Sequence, residues 1–428
     1  MGATRQVTFG VAASLALTIA IGSAQAVPSS LVQTYNDPVP ANGDHFGFSI
    51  ARDGNRVLIG ARFDDTSGPN VGQALLFDTV TGTFLQAFND PTPTGDDRFG
   101  ETVAISGDNV VVGARRDDTN GFNAGQAHLY SASTGALLRT FNDPTPSAAA
   151  NFGNAVSVEG DNVLIGAFGG TGQVHLFSAS TGALLRTFDD PTPSGSDFFG
   201  TSVLISGDNV LIGAAGDDTN APEAGQAHLF SASTGALLQT FDDPTPTTDD
   251  EFGTSLAISG DNVLIGAPFD DTEGLNIGQA HLFSASTGAL LRTFDDPTPT
   301  TQDLFGTSVS IDGALIVIGA HLDDTNGADQ GQVHLFSATT GALLETIDDP
   351  TPTVFDHFGF AVLADQGQLL VGAFQDDTNA GGAGQAHLFD VPDGTAQIAE
   401  PGTLGLLLAG FIGLGLARRR GSARSRTL

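Results

Sequence analysis

Two residue types recur in this chain at positions where they could do chemistry. Aspartate pairs begin at Asp64, Asp117, Asp217, Asp270, Asp323 and Asp376, and each pair is followed by threonine. Four of these runs continue to asparagine: Asp117, Asp118 and Asn120; Asp217, Asp218 and Asn220; Asp323, Asp324 and Asn326; Asp376, Asp377 and Asn379. Alternating carboxylate and amide oxygens suit calcium, which takes six to eight oxygens. One such loop offers too few, so these are weak calcium candidates. The same residues also cap their own backbone in ordinary turns, which is the preferred reading. No other cofactor is expected.

Histidine recurs just as regularly, at His128, His175, His228, His281, His334 and His387, with Leu75 at the first position of the series. Each belongs to a different copy of a repeat. A structural hydrogen bond between strands or blades is therefore expected rather than a shared metal. Signatures of catalysis are missing: there is no Gly-x-Ser-x-Gly elbow, no His-Glu-x-x-His, no phosphate loop, no cysteine and no lysine. Carboxylate pairs alone would permit a glycosidase-like dyad. Here they arise by repetition, whereas a catalytic set should depart from it. The departures His321, His357 and Glu273 form no recognisable set, and the chain is expected not to be an enzyme.

The elements that must position these residues come from one repeated unit. Phe-Gly recurs at Phe46, Phe99, Phe152, Phe199, Phe252, Phe305 and Phe358, at steps of 53 residues with a single step of 47. A Gly-Ala pair follows 14 residues after each Phe, from Gly60 to Gly372. Within the fifth copy, four short apolar runs are separated by Gly, Asn, Asp and Pro: Thr254–Ser259, Asn262–Ala267, Gln279–Ser284 and Ala289–Phe294. None has the length or period of a helix. Seven four-stranded copies predict an all-β, seven-bladed β-propeller.

The last copy lacks its fourth strand and leaves the pattern at Asp390-Val391-Pro392. A spare fourth strand, Leu31–Tyr35, stands near the N-terminus before Asn36-Asp37-Pro38. Pairing of the two would close the ring and hide both edges. The whole of 27–392 is thus expected to be one domain.

Charge is unevenly spread. All 49 acidic residues lie between Val27 and Glu400, and every basic residue is arginine. So acidic a body repels nucleic acid and anionic membrane. Strand direction places the Asp-Asp-Thr loops on the same face as the Asp-Pro-Thr-Pro connectors, and most acids fall on that face. The third copy has only Phe168-Gly169-Gly170-Thr171 in place of the acidic loop, which accounts for the 47-residue step.

The Phe-Gly start, the Gly-Ala end of the second run and the Gly-Gln-Ala-His-Leu-Phe third run resemble FG-GAP repeats, the family of the integrin α-subunit propeller. The resemblance implies adhesion or ligand binding, often with calcium. The family's calcium loop lies between Phe-Gly and Gly-Ala. Here that interval holds only a tight turn such as Gly260-Asp261-Asn262.

Both ends carry separate signals. Residues 1–26 have the form of a secretory signal peptide: Arg5, an apolar centre from Val11 to Ile21, and a cleavage site at Ala24-Gln25-Ala26. A linker, 393–399, leads to a segment at 400–420 and a basic tail at 421–428. Glu400, Pro401 and Gly402 precede an apolar run and then Arg418, Arg419 and Arg420. This order is similar to a PEP-CTERM sorting signal. It implies recognition by an exosortase-like membrane protease, transient inner-membrane anchoring, and export from a Gram-negative bacterium to the cell surface or extracellular matrix. The sequence thus reads as a non-enzymatic, monomeric surface or matrix propeller with an acidic binding face. Its expected partners are an extracellular polysaccharide or a surface protein. The alternative is a polysaccharide-active hydrolase or lyase on the same scaffold.

Overall fold

A computed structural model describes residues 28–391 apart from residue 171. The N-terminal signal at 1–26 and the C-terminal stretch at 393–428 lie outside the described residues. Six repeats each form a four-stranded antiparallel sheet, the seventh repeat adds three strands to one from near the N-terminus, and the chain makes seven such sheets. In blade five the strands are Ser255–Ser259, Asn262–Ala267, Gln279–Ser284 and Leu290–Asp295. The second strand is apolar on both sides, so both its faces are buried, with Val263, Leu264 and Ile265 fully enclosed. The fourth strand is the outer edge and keeps Leu290 and Leu291 half-exposed. Among the described residues there is no helix, and none long and apolar enough to cross a membrane.

The ring closes as the sequence predicts. Ser30–Asn36 pairs antiparallel with Gln385–Asp390, placing Leu31 opposite Phe389 and Tyr35 opposite Ala386. Tyr35 is 1% exposed and packs with Phe46 and Phe77 of blade one and Leu388 of blade seven. The N-terminal strand therefore completes one blade and seals its joint with the next.

Seven hydrophobic clusters form the core, and each straddles two consecutive blades. Phe241 at the edge of blade four lies 5.2 Å from Phe283 of blade five, which meets Phe252 edge-on at 6.0 Å. The repeated glycines serve the same joints. A Cβ on Gly113 would collide with the carbonyl oxygen of Gly153, the glycine of the next Phe-Gly pair. One blade's Gly-Ala thus rests on the following blade's Phe-Gly, and backbone approaches backbone with no room for a side chain.

Candidate functional site

The connector that enters each blade and the loop between its second and third strands meet on one face. In blade two the aspartate pair splits. Asp117 turns inward and is fully buried, while Asp118 is exposed. Asp117 Oδ1 accepts the Thr119 amide at 2.7 Å, and Asp118 Oδ1 accepts the Asn123 amide at 2.6 Å. The Asn120 amide instead donates outward to Asn142 Oδ1. Asp217, Asp218 and Asn220 repeat the pattern, as do Asp323, Asp324 and Asn326, and Asp376, Asp377 and Asn379. The alternating oxygens of each loop are therefore turn caps pointing in different directions, not one ligand sphere.

The inward aspartate has other company. Asp90, from the Asp-Pro segment, holds the Thr92 amide on Oδ1 at 2.8 Å and leaves Oδ2 buried without a partner. Asp97, seven residues on, is fully buried and accepts both the amide and the hydroxyl of Thr94. It is held between two residues in the left-handed region, Asp96 at φ 68° and Arg98 at φ 58°. That conformation costs a non-glycine residue on the order of 1 kcal/mol or more and persists only where its surroundings enforce it. Thr92 Oγ1 bridges towards Asp117 Oδ2 at 3.4 Å.

His128 completes the group from the third strand. Its Nδ1 lies 3.1 Å from Thr140 Oγ1 on the fourth strand, so of the two structural bonds expected from sequence, between strands or between blades, it makes the one between strands. Its Nε2 is buried without a partner. The ligand atoms of Asp90, Asp117 and His128 all lie within 4.8 Å of one another. Burial, with Asp97 and Asp117 adding to it against the opposing Thr92 amide, pushes the Asp90 carboxyl up to about 6. Burial lowers His128 to about 4, so its ring is neutral at neutral pH.

The same constellation recurs at Asp243, Asp270 and His281, at Asp296, Asp323 and His334, and at Asp349, Asp376 and His387. Asp190, Asp217 and His228 occupy the matching positions of blade four. Blade one has Leu75 in place of histidine and brings Asp37, Asp44 and Asp64 together instead. Blade three keeps Asp143 and His175, 3.8 Å apart. It lacks the acidic loop, and Ala150 stands where the others have the Asp97-type residue.

A second feature breaks the sevenfold pattern. The axial channel, about 310 Å³, is lined by the first strand of every blade. The residue after Phe-Gly is Asn154 in blade three, Thr201 in blade four and Thr307 in blade six, but Phe48 in blade one and Phe360 in blade seven. Phe48 and Phe360 lie 4.6 Å apart, and Phe360 and Phe374 also 4.6 Å. The rings of His321 and His357 are 5.5 Å apart, and each has a buried Nδ1 without a partner. Sequence reading found no set among the departures from the repeat, yet these two histidines meet across two blades. The Arg62 guanidinium sits 3.6 Å over the Phe48 ring and reaches Glu101 at 3.4 Å. Arg115 binds the same Glu101 at 2.7 Å. One side of the mouth is thus aromatic and cationic, the other small and polar. Glu273 has no part in it.

The family model for the FG-GAP repeat matches residues 38–77, 93–130, 192–230, 246–283 and 299–336. Each match runs from a connector through the third strand, and the five fall on blades one, two, four, five and six. Five of the seven blades thus match the FG-GAP repeat. A search of curated proteins finds no match to the chain.

The calcium site that the FG-GAP resemblance implies does not fit here. The turn at the expected place in blade two carries one carboxylate, Asp108. Its oxygens are engaged by the Ser131 hydroxyl and the Ser133 amide, both at 2.8 Å. Asp108 ties together the two turns of the opposite face, and both its oxygens are already engaged. The acids that do converge, Asp90, Asp97 and Asp117, lie at the other end of the blade. Sequence reading placed them on one face but left out their convergence on the histidine. They are far apart in the chain, and only the meander brings them together. One signal was present: blade three loses the Asp97-type and Asp117-type residues together.

Proposed function

We propose that this chain is an exported, non-enzymatic propeller of the cell surface or extracellular matrix, whose connector face binds an extracellular polysaccharide or a surface protein. The observation that carries this reading is the uneven mouth of the axial channel. Binding one partner in one orientation needs a feature that the repeat does not duplicate. The aromatic corner of Phe48, Phe360 and Phe374, flanked by Arg62, is such a feature. Burial holds His45 and His357 at about 4, so the corner bears little histidine charge at neutral pH. Aromatic faces beside a guanidinium suit a sugar ring or a planar side chain. Around them the exposed second aspartates, such as Asp118 and Asp324, give the rim a negative field that discourages nucleic acid and anionic lipid.

Export and sorting rest on sequence alone. The signal at residues 1–26, with its cleavage site at Ala24 and Ala26, directs export. Glu400, Pro401 and Gly402 with Arg418, Arg419 and Arg420 serve as a PEP-CTERM-like signal for an exosortase-like protease. Intact mass of surface-released protein should end near Glu400. Retention of Arg418 to Arg420 would overturn the processing.

The binding reading is tested by glycan-array and pull-down screening with residues 27–399. The comparison is with Phe360→Thr, which copies the residue blade six already has at Thr307. A defined ligand for the wild type, lost at least tenfold in the variant, is the expected result. No ligand in either screen, or turnover of a polysaccharide, would overturn it.

A further inference from the structure

We propose that blades two, four, five, six and seven each hold a divalent transition-metal cation, of the zinc or manganese kind, in the buried aspartate–histidine pocket of the connector face. The assignment is independent of what the mouth of the channel binds.

Charge is the first argument. Asp97 and Asp117 are fully buried and Asp90 nearly so, at 5% exposure. No arginine comes within ion-pair distance of any of them among the described residues. Carboxylates removed from water without a basic partner are normally protonated or bound to a cation. Hydrogen bonds satisfy one side of the Asp90 carboxylate and leave Oδ2 bare.

Histidine supplies the second, separate argument. His128 is fully buried, with Nε2 unpartnered and facing the carboxylates. Its other nitrogen is fixed by Thr140 Oγ1 at 3.1 Å. Metal-bound histidines are held in this way, one nitrogen oriented by an outer partner and the other left for the ion. Ligands about 2.1 Å from one tetrahedral cation lie about 3.4 Å apart, so atoms now within 4.8 Å of one another would draw in by up to about 1.4 Å on binding.

The repeat supplies the third. Blade three lacks two acids from separate segments, at Ala150 and in the missing loop, while retaining Asp143 and His175. The loop acid is a ligand, and the Asp97-type acid, whose two oxygens Thr94 occupies, stands beside the ion, so both lose their purpose where the ion is absent. An imidazole with carboxylates also decides the class of metal, because calcium and magnesium prefer oxygen alone. Blade one, with Leu75 and three carboxylates, is accordingly left out of the assignment.

The test uses the full chain, stripped with a chelator and titrated calorimetrically with zinc or manganese chloride at physiological salt. Saturation near about five equivalents is expected, with a rise in melting temperature beyond that given by sodium chloride of equal ionic strength. His281→Leu copies the residue blade one already carries, so the fold has a precedent for it. It should remove one equivalent, and Asp270→Asn should remove the same one. His175→Leu, in blade three, should remove none. Absence of saturable binding would overturn the proposal, as would equal losses from His175→Leu and His281→Leu. Calcium binding as tight as zinc, unaffected by His281→Leu, would overturn the transition-metal assignment in favour of an oxygen-only site.

Discussion

The two faces of the propeller use aspartate in opposite ways. On the face of the tight turns, Asp108, Asp208 and Asp261 are exposed and each is surrounded by donors. Asp261 accepts the Ser284 hydroxyl and the Ser286 amide, and these bonds hold its carboxyl below the usual range. On the connector face, Asp243 is buried with Oδ2 unpartnered, and burial with Asp270 and Asp250 nearby raises it to about 7. Local supply of donors decides the difference. A single acid between two turns finds an amide and a hydroxyl. Three acids converging on one point exhaust the threonines available and leave charge uncompensated.

Closure of the ring should give the largest effect, because both faces depend on it. Deleting residues 27–36 bares the edge of Gln385–Asp390 and removes Tyr35 from the joint between blades seven and one. A loss of several kcal/mol is expected, since truncating a buried aromatic alone costs about 3–5 kcal/mol. Denaturant unfolding measures it, and an unchanged curve would refute closure by this strand.

Glycine substitutions sharpen the comparison next. Gly113→Ala drives a methyl into the Gly153 carbonyl, with no side chain to yield. It should cost about 1–3 kcal/mol or more. Gly107→Ala, in a turn of the opposite face, meets nothing within 4 Å. Only its positive φ opposes it, so about 1 kcal/mol is expected. Equal losses in thermal unfolding would mean that the blade joint is not as tight as described.

Aspartate substitutions should then differ in sign. In chelator-treated protein, Asp243→Asn puts an N–H donor where a bare oxygen faces Asp250 and Asp270. A gain on the order of 1 kcal/mol is expected. Asp261→Asn removes an acceptor that two donors use, and should destabilise. If both variants shift the melting temperature the same way, the contrast between the faces fails.

The smallest effect is in pH. Because the Asp261 carboxyl is held below its ordinary value, it is charged more readily in the folded chain than in the unfolded one. Its contribution is full at neutral pH and is lost as pH falls through the folded value, below about 3.8. Stability measured in acid should therefore fall less steeply for Asp261→Asn than for the wild type.

Much of the fold was legible because it is written seven times. Phe-Gly, Gly-Ala and the apolar second run mark each blade, and the displaced strand at Leu31–Tyr35 marks closure. The charge on the connector face followed from strand direction alone. The fate of individual acids did not. Asp117 and Asp118 are adjacent and identical in type, yet one is buried and the other exposed, a matter of backbone direction in the loop. His128 was legible as a structural hydrogen bond between strands or blades, and the bond proved to run across strands through Nδ1. The surroundings of Nε2 were not legible, because its neighbours Asp90 and Asp117 come from other segments of the chain. The aromatic mouth was hidden for a similar reason: Phe48 and Phe360 are neighbours only because the ring closes.

Anomalous diffraction from crystals grown with zinc, recorded at the metal edge, tests the central claim most directly. The account predicts peaks between the paired aspartates and histidine of blades two, four, five, six and seven, within bonding distance of Nε2, and no peak in blade three. Peaks confined to exposed acids such as Asp118, or a blade three as occupied as the rest, would contradict it.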